Sequence, residues 1–192
     1  MVSISKKSVS PEEYLQAERR RTEKCEYINK QVIPMGGASF NHNRITRNLL
    51  VLLSNILLNK DFEIFSSDLR VHNPSTQSYT YPDVVVVKGE LKYLDDTFDT
   101  LLNPLLIAEV SSDSTFERDL HEKFIAYRKT PGFQEYLLIA QDKVLIQKFF
   151  RIKDEQWEIE DFADPEQKIQ LKSVPAAISV EDIYKKVQFE QS

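Results

Sequence analysis

The chain has 192 residues, 41% of them hydrophobic, and a formal charge of −5, enough apolar content for one good core and hence one expected domain over residues 1–192. A sequence pI near 5.3 argues against a strongly basic, nonspecific coat on nucleic acid, although a net sum leaves room for a local basic groove. Cys25 is the single cysteine, so no internal disulfide can form; the leading MVSISKKSVSPEEY lacks the apolar core and cleavage site of a signal peptide, which makes the cytoplasm the expected compartment.

In chain order, SPEEYLQAERRR offers Ser10 as an N-cap, Pro11 at the first helical position and acids in the first turn, and predicts a short helix to about residue 22. EYINKQVIPM reads as extended. After Gly36 and Gly37, SFNHNRITRNLLVLLSNILLNK carries Ile45, Leu49, Leu52, Leu53 and Ile56 at helical spacing. It predicts the longest helix, with its apolar face on a sheet. The apolar run inside it, LLVLLSNILL at 49–58, is too short to span a bilayer.

FEIFSSDLRV alternates as a strand, and SYTYPDVVVVK, PLLIAEV, EYLLIA and KVLIQKFFR follow as β-rich segments, with a helix from about Thr115 to Lys129 among them and a further strand around QWEIEDF. VVVV and LLIA lack alternation, the pattern of strands covered on both faces. The expected fold is therefore α/β, a mixed β-sheet flanked by helices on both sides. A short helix, SVEDIYKK, closes it with Ser179 as N-cap. The aromatic-rich hairpin KVLIQKFFRIKDEQWEIEDF reads chiefly as core packing and alternatively as a dimer interface.

Much chemistry is excluded. Only four glycines are present, and none forms a phosphate-cradling loop or a dinucleotide fingerprint. No nucleophile elbow surrounds a serine, and His42, His72 and His121 are scattered without a paired-histidine zinc motif. Each histidine reads as a surface or capping residue, and Arg19, Arg20 and Arg21 read as a solvated helix face.

Two carboxylates remain at the edges of apolar strands. Asp83 follows Pro82 and precedes VVVV; Glu109 follows LLIA. Alternation puts Glu109 and Ser111 on the side of Leu105 and Ile107, and Asp83 on the side of Val85 and Val87. On neighbouring strands the two acids converge, and a hard divalent cation between them relieves their repulsion. Asp119, Lys123 and Tyr127 recur every four residues on one helix face, from which Lys123 can reach towards Glu109 and orient a metal-bound water. The same spacing also suits an ordinary ion-pair ladder.

PDVVVVK, LLIAEVSSDST, the D-x-x-x-K-x-x-x-Y of Asp119, Lys123 and Tyr127, and PGFQEYLLI together resemble the Uma-two group of restriction endonucleases, in the PD-(D/E)XK nuclease superfamily. The resemblance runs from CEYINKQVIPMGGASFNHNRI to SVEDIY. It implies a restriction-endonuclease-like core, with KVLIQKFFRIKDEQWEIEDF as a C-terminal hairpin extension, and a Mg²⁺ site, open to Mn²⁺, on Asp83, Glu109 and the Val110 carbonyl. The superfamily lysine stands two residues after the glutamate; Ser111 is there in this chain, so the resemblance assigns that role to Lys123. Glu26 matches a further acid and His42 a histidine at the start of the long helix. Ser111, Asp119 and Tyr127 support the site. Tyr81 replaces an arginine often found before the PD motif, Lys30 a glycine, and Ala140 with Gln141 a tryptophan-containing, aspartate-ended strand. The activity implied is DNA phosphodiester hydrolysis by a homodimer; the alternatives are a noncatalytic scaffold with the nuclease fold and a hydrolase of smaller phosphate esters.

Overall fold

A computed structural model describes residues 9–189. Its first helix, α1 (Pro11–Glu18), starts on a complete capping box: the Ser10 side chain accepts the Glu13 N–H, and the Glu13 carboxylate accepts the Ser10 N–H. It stops well before residue 22. The cause is tertiary, because the buried Glu18 Oε1 accepts the Cys25 N–H at 2.8 Å and draws the chain into a turn. Arg19, expected on a solvated face, instead pairs with Asp95 and Asp99, each at 2.8 Å.

The extended segment is a hairpin of β1 (Cys25–Ile28) and β2 (Gln31–Pro34). Asn29 and Lys30 form its two-residue turn with φ of 51° and 63°, the left-handed pair that matches strand twist. Asparagine tolerates that region; lysine does so at a cost, which explains why a glycine suits position 30.

The longest helix is α2 (Phe40–Leu57), capped by Ser39, whose hydroxyl accepts the His42 N–H. Ile45, Leu49, Leu53 and Leu57 form its fully buried stripe, while Leu52 and Ile56 flank it half-buried. Among the described residues no helix is long and apolar enough to cross a membrane.

The expected strand FEIFSSDLRV divides into β3 (Phe62–Ser66) and β4 (Arg70–Asn73), and SYTYPDVVVVK into β5 (Ser78–Thr80) and β6 (Val84–Lys88). In each case the two halves belong to different sheets. Pro82 lies at the second break, where its missing N–H ends the ladder. Next come β7 (Thr100–Leu101) and β8 (Leu106–Ser111). One continuous helical segment follows, of α3 (Phe116–Arg118), a π-helical turn (Asp119–Lys123) and α4 (Phe124–Tyr127). It ends two residues short of Lys129, and its π turn was not visible in the spacing. The last elements are β9 (Glu135–Ala140), β10 (Ile146–Lys153), β11 (Gln156–Phe162), β12 (Lys168–Gln170), β13 (Ala177–Ser179) and α5 (Val180–Ile183). Ser179 takes the N-cap position of α5 without a side-chain capping bond.

The six-stranded mixed sheet runs β11-β10-β9-β8-β6-β3, and a five-stranded sheet runs β2-β1-β5-β4-β7. β7, β12 and β13 were not expected from the sequence. One face of the larger sheet, through Val84, Val86, Ala108 and Val110, packs on the α2 stripe and α5; the other, through Val85, Val87, Ile107 and Leu138, packs on Phe124 and Tyr127 of α4. Helices thus cover both faces, as the unalternating strands require. Leu105 precedes β8 and joins the α2 side, opposite the Ile107 face on which it was expected. The β10–β11 hairpin extends the sheet: Ile146, Phe149 and Phe162 enter the cores, while Ile152 and Ile159 remain 62% and 58% exposed.

Candidate active site

The site lies where the chain crosses between the two sheets. β6 and β8 are antiparallel with Val84 opposite Ala108, so the next pair outward is Asp83 and Glu109, and the strand ends present both acids at one edge. Past the last ladder pair the Val110 N–H donates to Asp83 Oδ2 at 2.8 Å, and His42, in the first turn of α2, holds the same oxygen through Nε2 at 3.0 Å. Asp83 is therefore oriented by a strand and a helix.

Glu109 Oε1 accepts the Tyr127 hydroxyl at 2.7 Å and the Lys123 ammonium at 3.1 Å. Lys123 also lies 2.9 Å from Glu26 Oε1 on β1 and 3.5 Å from Asp119 Oδ1. Ser111 donates to Asp119 Oδ2 at 2.6 Å. The π turn brings this about: the Phe124 N–H reaches back to the Asp119 carbonyl, which also accepts the Tyr136 hydroxyl at 3.1 Å. Widened turns of this kind recur at functional sites.

Glu26, Asp83, Glu109, Asp119 and Lys123 are all buried, which sets four carboxylates against one ammonium. Burial first, then Asp119, Asp83 and Glu26, push the Glu109 carboxyl well above its ordinary range against the pull of Lys123. Burial favours a neutral Lys123, but Glu109, Glu26 and Asp119 outweigh it and hold the ammonium charged. Burial and Glu109 keep Tyr127 a neutral phenol that donates. Crowding of buried acids around one ammonium is what raises the Glu109 carboxyl, and a bound cation would relieve it.

Glu26, His42, Asp83, Glu109, Asp119 and Lys123 line a cleft of about 450 Å³, whose wall also includes Gly36, Gly37, Ser39, Val110, Arg118 and Gln141. Among the described residues no three His, Cys, Asp or Glu side chains are arranged to hold an ion, since Lys123 stands among Glu26, Glu109 and Asp119. The donor set of Asp83 and Glu109 nevertheless fits a hard divalent ion: each commits one oxygen to protein donors, and Mg²⁺ takes one or two carboxylates plus water.

Residues 11–181 match the family described as "Putative restriction endonuclease", Uma2. The chain belongs to the Uma2 family. A Synechocystis sp. protein, sll1609, is 43% identical over 157 residues, 82% of this chain and 89% of that protein. A second, slr1290, from the same organism is 38% identical over 181 residues, 94% of each. A crystal structure from Anabaena variabilis, described as "a putative nuclease belonging to DUF820", aligns with TM-score 0.77 at 17% identity over 94% of this chain and 99% of that one, a likeness of fold.

Against the Uma2 pattern, the departures have local explanations. At Tyr81, where the resemblance implies an arginine, a guanidinium is present nearby: Arg70 Nη1 donates to the Tyr81 hydroxyl at 3.0 Å, and that hydroxyl donates to Glu18 at 3.1 Å. Gln141 follows β9 at the cleft and accepts the Ser39 hydroxyl at 2.6 Å, tying the start of α2 to the strand end. Of the histidines, His42 is at the site and His121 is a surface partner of Glu117 at 3.1 Å. His72, expected on the surface or at a cap, is buried and stacked on Tyr79 at 4.1 Å, its Nδ1 on the Ser78 carbonyl. Arg118 lines the cleft, and Glu18 and Arg70 connect to it through the Tyr81 hydroxyl; only tertiary placement creates these contacts, so no spacing in the sequence signals them.

Proposed function

We propose that this Uma2 protein is a divalent-metal-dependent endonuclease that hydrolyses DNA phosphodiester bonds, with Mg²⁺ as the ion and Mn²⁺ as a substitute. Asp83 and Glu109 hold the ion with the Val110 carbonyl, and when bound it neutralises charge developing on the phosphate. Lys123 orients the attacking water from the side of Glu109. Tyr127 and His42 fix the two acids, and Ser111 fixes Asp119, which with Glu26 steers the Lys123 ammonium. Paired cuts in a duplex suit a two-fold homodimer, and the compartment is the cytoplasm.

The observation that carries this reading is the Lys123 ammonium 3.1 Å from Glu109, delivered from a helix to the strand end that faces Asp83. The test is incubation of plasmid, linear and branched DNA with the purified protein and Mg²⁺ or Mn²⁺. Cleavage should need the ion and vanish in Asp83→Ala and Lys123→Ala; equal cleavage by wild type and both variants contradicts the assignment. The 450 Å³ cleft, within the range of small-ligand pockets, favours a second reading, hydrolysis of a smaller phosphate ester. Turnover of bis(4-nitrophenyl) phosphate with all three DNAs intact would select it. Binding of DNA without turnover of either substrate would select a noncatalytic scaffold.

A further inference from the structure

Four basic side chains line the cleft: Lys24, His42, Arg118 and Lys123. Three are committed. Lys24 is bonded to the Asp68 carboxylate and to the Ser67 carbonyl at 3.0 Å. His42 is held by Asp83, and Lys123 by three carboxylates. Arg118 differs: its nearest acid is Glu26, with Nη2 to Oε2 at 3.8 Å, beyond hydrogen-bond range.

Its Nε is buried and has no acceptor among the described residues, while its side chain is 31% exposed. A guanidinium carries five donors in a rigid planar fork, and leaving a buried one unanswered is costly. The exposed part of the side chain lines the cleft, so an incoming group with two acceptor oxygens and negative charge can take the Nη donors that Glu26 leaves free. Arg118 also ends α3, next to Asp119 and one turn before Lys123, so such a group would enter on the side from which the lysine reaches Glu109.

We propose that Arg118 is the phosphate-binding side chain of the cleft, gripping two nonbridging oxygens of a nucleic-acid backbone phosphate with its fork. This rests on the nuclease reading and adds to it a binding residue that no pattern in the sequence identified. Glu26, at 3.8 Å, steadies the guanidinium without occupying its donors.

The experiment measures binding of a fluorescein-labelled DNA oligonucleotide, single-stranded and as a duplex, across a salt series with Ca²⁺ present to prevent turnover. The proteins are wild type, Arg118→Ala, Arg118→Lys and, as a distant control, Arg128→Ala. Loss of one phosphate contact should weaken binding on the order of 10- to 100-fold in Arg118→Ala. It should also reduce the salt slope by about 0.7 on single strands and about 0.9 on duplex. Arg118→Lys should keep the slope while still binding more weakly than wild type, and Arg128→Ala should match wild type. A merely structural arginine would change the melting temperature and leave the slope alone. A wild-type slope in Arg118→Ala overturns the assignment while wild-type cleavage leaves the nuclease reading standing; absence of DNA binding and cleavage in the wild type overturns both.

Discussion

Lys123 and Glu109 meet at 3.1 Å across a sequence separation of 14 residues, joining a helix to the strand it crosses. The pair is buried, and so are the other acids around the ammonium, Glu26 and Asp119. Removing a lysine from such a place takes away the charge that Glu26, Glu109 and Asp119 share.

Lys123→Met should therefore destabilise the ion-free protein by roughly 3–5 kcal/mol, the usual cost of stranding one half of a buried pair. Urea denaturation measures it. Adding Glu109→Gln to Lys123→Met should recover part of the loss, because one stranded charge is then gone; an additive or larger loss in the double variant would show that the ammonium and Glu109 are not coupled.

Acid stability should depend on Asp99. Its hydrogen bond from Arg19 comes first, opposed by burial and helped by Thr100 and Arg70, and holds the carboxyl well below its ordinary 3.8. A carboxyl lowered in the folded state contributes stability that is present above the unfolded value and lost as pH falls through the folded one. Asp99→Asn should flatten the loss of stability below about pH 4 relative to wild type, as followed by thermal melts in an acid series. Parallel curves would remove Asp99 as a source of it.

Much of this arrangement was legible in the residues. The Ile45, Leu49, Leu53 stripe marked α2 and its buried face, and VVVV with LLIA marked strands covered on both sides. The opposition of Asp83 and Glu109 needed only that their strands be neighbours. What could not be read was sheet membership. Alternation across FEIFSSDLRV looks the same whether the chain stays in one sheet or crosses to another after Ser66, and Pro82 announces a break without saying where the chain goes next. The four-residue spacing of Asp119, Lys123 and Tyr127 likewise suits an α-helix and a π turn alike. The end of α1 was hidden because Glu18 stops it through Cys25 and not through a local stop signal.

Lys30 is a place where the chain departs from its best local choice. Its φ of 63° lies in the region that costs a side chain about 1–2 kcal/mol. Lys30→Gly should be neutral or stabilising by up to about 1 kcal/mol once the extra freedom of the unfolded glycine is counted. Lys30→Val should destabilise. Melting temperatures check both, and a Lys30→Gly variant clearly less stable than wild type would contradict the turn geometry.

Tyr127→Phe isolates one hydroxyl. It removes the 2.7 Å donor to Glu109 and keeps the ring that packs with Phe133 and Tyr136. The fold should persist with about 0.5–1.5 kcal/mol less stability. DNA cleavage should fall through kcat with KM little changed, since the phenol is bonded to Glu109 and is not part of the cleft wall. A change confined to KM would place Tyr127 on the substrate instead.

The central claim is that Asp83 and Glu109 are two halves of one cation clamp. Calorimetric titration of Mn²⁺ into wild type and into Asp83→Asn, Glu109→Gln tests it without any substrate. We expect one-site binding to the wild type and none to the doubly substituted protein, with melting curves showing that both are folded. Equal Mn²⁺ binding by the two proteins would contradict the clamp and place the ion elsewhere.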